Sequence, residues 1–321
     1  MLKNANILVA GGTGFLGGAL IIRLLAEGAQ VRATCYQRDP NRQHERLEWQ
    51  RADLREPAAC AAAVAGMDYV FLSAANTAGA AVMVETPLVH VTPNVVMNAH
   101  LLEAAYQAQV KKFLFFSSGA AYPDLGEEHR LAEGDMFKGE PPEVYYPAGW
   151  MKRYTEILCR TYAEKIKRPM PTVVIRPSNV YGPGDKFDFA KSHVTAAQMR
   201  RVIDRQRPIL VWGTGDDVRD LIYVDDFIEG VIRAFTRESD FLTINIASGT
   251  AHSVKEVVST AIKADGFDDA EVVFDPTKPR TIGKRLFDVS YARELLGFEA
   301  KTSLEDGFRR TISWYRETFK P

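Results

Sequence analysis

The chain is 321 residues long and carries 40 basic against 41 acidic side chains, a formal charge of −1. No overall field therefore draws it to nucleic acid or an anionic membrane, and an anionic ligand has to be held by a local site. Its 46% hydrophobic and 25% charged residues are those of ordinary globular proteins and exclude disordered, collagen-like and coiled-coil chains.

In chain order, a first strand is expected at Ile7–Ala10, so early that no cleaved export signal fits before it. Gly11, Gly12, Thr13, Gly14, Phe15, Leu16 and Gly17 follow, leading into a helix over Phe15–Glu27. Gly11 permits a tight turn, Gly14 lets the backbone approach a pyrophosphate, Gly17 lets helix pack close to strand, and the first helical amides face the phosphates. A flexible turn would carry the same glycines, but the strand before and the helix after are what a dinucleotide cradle requires. The second strand, Val31–Cys35, puts Cys35 where an NAD-selective acid would fall and Arg38 just beyond. That pattern favours the 2′-phosphate of NADP, with NAD as the alternative, although Arg38 and Arg42 read equally as surface residues. Asp53, after a short strand at Glu48–Ala52, is placed to meet the adenine edge, and an exposed turn Asp would look the same.

A helix at Pro57–Ala65 and a strand at Tyr69–Ser73 come next. The apolar stretch Val70–Val84 is too short to span a membrane and is broken by Ser73, Asn76, Thr77 and Gly79. Helices at Asn94–Gln107 and Lys152–Lys167 then alternate with strands at Phe113–Ser117 and Thr172–Arg176. Strand and helix in this rhythm predict an α/β fold, a Rossmann-type doubly wound parallel sheet. Beyond about residue 177 the rhythm loosens around Gly182, Gly184, Gly213, Gly215, Pro276 and Pro279. Residues 1–177 are expected to form the dinucleotide-binding domain, and 178–321 a smaller C-terminal α/β substrate-binding region with segments interleaved with the first. Cys35, Cys60 and Cys159 lack paired or metal-ligand spacing, which suits buried thiols in a reducing, cytoplasmic setting with no bound metal.

Several of these features form a set: the glycine spacing, Asp53 with Leu54, the loop of Ala74, Ala75 and Asn76, Asn94 opening a helix, the run Ser117–Tyr122, the run Arg176–Pro183, and the late Arg219–Asp226 and Leu286–Val289. Together they resemble the extended short-chain dehydrogenases/reductases, in their nucleotide-sugar epimerase/dehydratase/reductase branch. Within it, Lys191–Val194 and Val211–Gly215 are similar to the GDP-fucose synthases. The resemblance implies hydride transfer between a nicotinamide and a sugar carbon, C4 foremost, on a nucleotide-diphosphate-sugar. It implies cofactor contacts from the glycine turn with Thr13, Phe15 and Leu16, and from Arg38, Asp53, Leu54, Ala74, Ala75, Asn94, Lys152 and Pro177. It also implies a homodimer built on the Asn94–Gln107 and Lys152–Lys167 helices.

In that family a Tyr and a Lys four apart on a helix work with a Ser at a strand end. Ser118 and Lys152 match the Ser and the Lys, but Ala148 stands at the Tyr position. Three readings stay open: a deliberate replacement of the Tyr, a natural member that protonates its substrate through water or another group, or a proton from Tyr146 or, less readily, Tyr145. The family's epimerising His matches His193, while its Cys partner is Ala120, which favours ketone reduction or 4-epimerisation over double epimerisation. Gly119, Ala120 and Ala121 fill the positions of the dehydratases' acidic pair and disfavour dehydration. Asn179 and Arg219 match substrate contacts at the diphosphate end, where Lys284 and Arg285 add charge. A catalytically silent sugar-nucleotide binder is the alternative for which Ala148 would be natural.

Overall fold

Fourteen strands are seen among the residues the structure describes, a computed structural model covering 1–40, 42–77, 86, 88–189, 192–277 and 282–319. They are β1 Asn6–Ala10, β2 Gln30–Cys35, β3 Leu47–Arg51, β4 Tyr69–Leu72, β5 Lys112–Phe116, β6 Arg130–Leu131, β7 Thr172–Pro177, β8 Asn179–Tyr181, β9 Ile209–Trp212, β10 Val218–Tyr223, β11 Phe241–Ile246, β12 Ala251–Ser253, β13 Val272–Asp275 and β14 Lys284–Phe287. The α-helices are α1 Phe15–Ala26, α2 Pro57–Val64, α3 Leu88–Gln107, α4 Tyr146–Glu164, α5 Val194–Ile203, α6 Val224–Thr236, α7 Val254–Asp265, α8 Ser290–Leu296 and α9 Leu304–Thr318.

The main sheet has the order β3-β2-β1-β4-β5-β7-β11, with every neighbouring pair parallel. Strands buried on both faces need no polar alternation, and β4 and β5 are buried along their whole length. Within β1, Ile7 and Val9 join the core formed with α1 and α6, while Leu8 and Ala10 join the one formed with α2, α3 and α4. The chain runs outward from β1 to β2 on one side and from β4 to β5 on the other. This reversal opens a crevice at the C-terminal ends of β1 and β4, where open α/β sheets bind ligands. β11 returns from beyond residue 177 to close the sheet's edge. A second sheet, β12-β10-β14-β6 with β8 on β10, and the pair β13-β9 lie outside it. All three cysteines are buried free thiols. No helix among the described residues is long and apolar enough to cross a membrane.

Two helices begin earlier than their periodicity predicts. α3 starts at Leu88 and carries Pro93 inside it, so Asn94 lies within the helix and does not open it. A proline removes the donor to the carbonyl four residues back. Here that carbonyl belongs to Val89, and the Asn76 side-chain amide donates to it at 2.9 Å. α4 starts at Tyr146, with Pro147 in its first turn, where the missing N–H has no helical acceptor to lose.

Candidate functional site

Gly11, directly after β1, takes φ +86°, and a β-carbon there would lie 2.6 Å from Ala74 Cα. The turn is pinned to β2, since Thr34 Oγ1 accepts from Gly11 N at 2.9 Å and Thr34 O accepts from Gly12 N at 2.9 Å. At Gly17 a β-carbon would sit 2.2 Å from Gly11 O, so only glycine lets α1 come this close to β1. Gly14 is the N-cap of α1, and no side chain caps the helix. The first-turn amides of an α-helix have no acceptor inside it, so those of Phe15, Leu16 and Gly17 point out of an uncapped positive end. This fits a diphosphate. Ala74 and Ala75, after β4, form the facing wall of the crevice. Asn94 holds that wall, its Oδ1 accepting from Asn76 N at 2.8 Å and its Nδ2 donating to Asn76 O at 2.9 Å.

At the end of β2, Arg38 Nη1 donates to Thr13 O and Arg42 Nη1 to Gly18 O, both at 3.4 Å. Two guanidinium groups thus flank the glycine turn on the side away from β4. Asp53 is engaged by Arg55, whose Nε lies 2.9 Å from Oδ1 and whose Nη2 lies 2.5 Å from Oδ2, and this pairing holds the carboxyl down at about 2. Leu54 sends its side chain into the core, and its carbonyl accepts from the Cys60 thiol at 3.1 Å.

Ser118 and Lys152 converge at the end of β5. Ser118 caps the short 3-10 turn Gly119–Ala121, its Oγ accepting from Ala120 N at 3.1 Å, which leaves its O–H to donate. Lys152 Nζ donates to Phe116 O at 2.7 Å, over the Phe115 ring. Burial pulls the ammonium down to about 8, against the pull of Glu156. Gly119 cannot take a side chain, because a β-carbon would meet the Phe287 ring at 2.4 Å and Pro177 O at 2.8 Å. Ala148 is half-buried in the first turn of α4. Tyr146 is exposed and meets Trp150 edge-on at 6.3 Å, away from the Lys152 face. Tyr122 lies near Ser118 in sequence but is fully buried, donating to Asn245 Oδ1 at 2.7 Å and accepting from Arg176 Nη1 at 3.1 Å. Burial pushes its phenol well above the usual range.

A residue four past Lys152, absent from the sequence-based site, anchors this arrangement. Glu156 meets Arg176 in a two-pronged pair, 3.1 Å at Nε and 2.6 Å at Nη2, with both side chains 3% exposed. An (i, i+4) acid is a common helical pairing in sequence; its buried partner on β7 has no signal there.

On the far side of the crevice, His193 caps α5. It is exposed on one side and crowded on the other, and burial, with Lys186 behind it, lowers its imidazole. Lys191 of the same motif lies outside the described residues. Asn179 Nδ2 donates to Asp220 O at 3.3 Å, while Arg219 Nη1 donates to Val218 O at 2.9 Å and Nη2 lies 3.6 Å from Asp217. Arg285 Nη1 donates to Gly119 O at 2.7 Å, which ties β14 to the Ser118 turn, and burial lowers its guanidinium to about 10. Lys152 and Arg285 are half-buried and His193 is exposed. Asp185 went unnoticed in the sequence. One of its oxygens accepts from Lys186 N at 2.7 Å, the other is buried with no hydrogen-bond partner among the described residues, and burial raises the carboxyl to about 7.

Residues 7–247 match the NAD dependent epimerase/dehydratase family. GDP-L-fucose synthase 1 of Arabidopsis thaliana is 29% identical over 98% of this chain and 94% of its own. The UDP-glucose 4-epimerase of Thermus thermophilus in complex with NAD superposes with a TM-score of 0.85 at 26% identity, covering 98% of this chain and 100% of its own. A GDP-D-glycero-L-gluco-heptose synthase from Campylobacter jejuni, solved in the presence of NADPH, superposes with a TM-score of 0.82 at 26% identity over 98% of this chain and 99% of its own. With the uncapped glycine cradle and the Ser118–Lys152 pair at one crevice, and the family match running through both, the chain belongs to the NAD dependent epimerase/dehydratase family.

Proposed function

We propose that the protein is a cytoplasmic, NADP(H)-dependent reductase or epimerase of nucleotide-diphosphate-sugars, acting at the sugar's C4 with Ala148 in place of the family tyrosine. The observation that carries this reading is Lys152 Nζ lying 2.7 Å from Phe116 O, the last residue of β5 and two before Ser118, beside the cradle at the end of β1. A bound nicotinamide dinucleotide would supply or accept the hydride. The first-turn amides of α1 hold its diphosphate, and Arg38 and Arg42 offer charge for a ribose 2′-phosphate. Ser118 donates its O–H to the sugar's C4 oxygen. Lys152 places a positive charge close to that oxygen and stabilises negative charge developing there. Asn179, Arg219 and Arg285 take the sugar nucleotide's diphosphate end, in a substrate-binding region made mainly from residues 178–321. His193 contacts the sugar from the opposite wall.

The exposed Tyr146, Trp150, Tyr154 and Ile157 along α4 make an apolar strip that supports a homodimer through α3 and α4, which a mass measurement in solution checks. Turnover of GDP- and UDP-linked sugars, followed at the nicotinamide absorbance, tests the enzymatic reading. Ala148→Tyr places a phenol one turn from Lys152 and is expected to keep turnover at least at the wild-type level. No turnover in either form, with sugar-nucleotide binding intact, would replace this reading with that of a silent binder, for which the methyl group of Ala148 speaks. NAD that stays bound through purification would favour the NAD-retaining 4-epimerase.

A further inference from the structure

One face of α4 is pressed onto the Ser118–Tyr122 turn. Gly149 marks that face, for a β-carbon there would lie 3.5 Å from Ala121 Cα and 2.5 Å from Pro141 Cβ. Lys152 shares it, with Nζ on Phe116 O at 2.7 Å. Extended back by one residue at 3.6 residues per turn, the helix brings position 145, the last of the 3-10 turn Glu143–Tyr145, to about this face. Position 146 is rotated away by about 100°, as the exposed Tyr146 ring against Trp150 bears out. Tyr145 is the N-cap of α4, fixed by its N–H on Pro142 O at 2.8 Å, and is only partly exposed.

Arg285 approaches the same turn from β14. Its Nη1 donates to Gly119 O at 2.7 Å and its Nη2 reaches Tyr122 O at 3.4 Å. The guanidinium lies within electrostatic range of the Tyr145 phenol. The Arg285 guanidinium and the Ser118 hydroxyl thus meet at one three-residue turn, with the Lys152 ammonium on the strand end just before it, and Ala148 brings only a methyl group to this face of α4.

We propose that Tyr145 is the catalytic proton donor and acceptor of this site; the proposal rests on the sugar-nucleotide reading above. In the reducing direction the Tyr145 O–H bond breaks as an O–H bond forms on the sugar's carbonyl oxygen. The carbonyl carbon gains a hydride from a reduced nicotinamide dinucleotide, which is oxidised in the same step. The phenolate then takes a proton back from water, and oxidation of the hydroxyl runs in reverse.

Calorimetry on the full chain with GDP-mannose, UDP-glucose and their 4-deoxy counterparts gives a readout apart from turnover. The wild type is expected to prefer a 4-hydroxyl sugar over its 4-deoxy form by roughly 2- to 12-fold, the worth of one hydrogen bond. Tyr145→Phe narrows that gap to the share held by Ser118, and Tyr146→Phe keeps it whole. In turnover, Tyr145→Phe lowers the wild-type rate by roughly 10²-fold or more, yet changes Ala148→Tyr by less than about twofold, because there the donor stands elsewhere. A preference that Tyr145→Phe leaves unchanged overturns the role of Tyr145 and leaves the sugar-nucleotide reading in place. Failure of the wild type to bind any of the four compounds overturns both.

Discussion

Arg219 and Arg285 are direct register partners on the parallel strands β10 and β14. Neighbouring residues of a parallel pair project from the same face of a sheet, so two guanidinium groups stand close together beside the Ser118 turn. Burial lowers Arg285, and the like charge of Arg219 adds to the effect. An anion between the two would relieve this repulsion. Arg219→Ala or Arg285→Gln is therefore expected to weaken sugar-nucleotide binding by roughly 10- to 100-fold, the scale of a hydrogen bond to a charged group. Calorimetry at low and high salt checks this, and the loss should shrink as salt rises.

Cofactor choice rests on the far end of the cradle. Arg38 reaches Thr13 O and Arg42 reaches Gly18 O, and Asp53 is occupied by Arg55. Arg38→Ala is expected to lower NADP affinity by roughly tenfold or more while changing NAD affinity by less than about threefold. Fluorescence titration of the two reduced dinucleotides measures the ratio, and equal losses would place the 2′-phosphate elsewhere.

Gly17 is the tightest point between α1 and β1, with a virtual β-carbon 2.2 Å from Gly11 O. Gly17→Ala must push the helix away from the turn. A loss of stability of about 1–3 kcal/mol, the range of overpacked cores, should accompany loss of dinucleotide binding. At Gly18, where the nearest atom to such a carbon is 3.8 Å away, alanine fits, and the same two measurements should change little.

Two buried groups make stability depend on pH in opposite ways. The Asp185 carboxyl rises from 3.8 to about 7 through burial, so between those values the unfolded chain has already given up a proton that the folded protein keeps. Stability from this group is present at low pH and is lost as pH climbs to about 7. Asp185→Asn should melt close to wild type at pH 4 and above it at pH 8. Lys152 falls from 10.5 to about 8, so the folded protein releases its proton first and stability rises from about pH 8 to 10.5. Lys152→Met should remove that rise. Thermal melts across both windows decide, and a flat wild-type profile would refute the burial of both groups.

The Glu156–Arg176 pair is the structural support for Lys152. Arg176→Met leaves Glu156 buried and unpaired, which is expected to lower stability by about 3–5 kcal/mol. Denaturant unfolding measures it, and Glu156→Gln combined with Arg176→Met should recover much of the loss.

What the chain determines locally could be read from it directly. The glycines after β1 work through backbone sterics, and the alternation of apolar strands and amphipathic helices works through side-chain period, so cradle and fold class were legible, whereas Ser118 and Lys152 stood out only through the family resemblance. Helix starts were less so. Pro93 signals a break until the amide of Asn76, some thirteen residues before the carbonyl it serves, takes up what the proline leaves unpaired at Val89. Only the assembled sheet decides that Arg219 lies beside Arg285, that Glu156 finds Arg176, and that Asp185 is buried. Such relations depend on which strands pair and how a helix is rotated against them, and no residue encodes in its own neighbourhood the partner that folding brings from elsewhere in the chain.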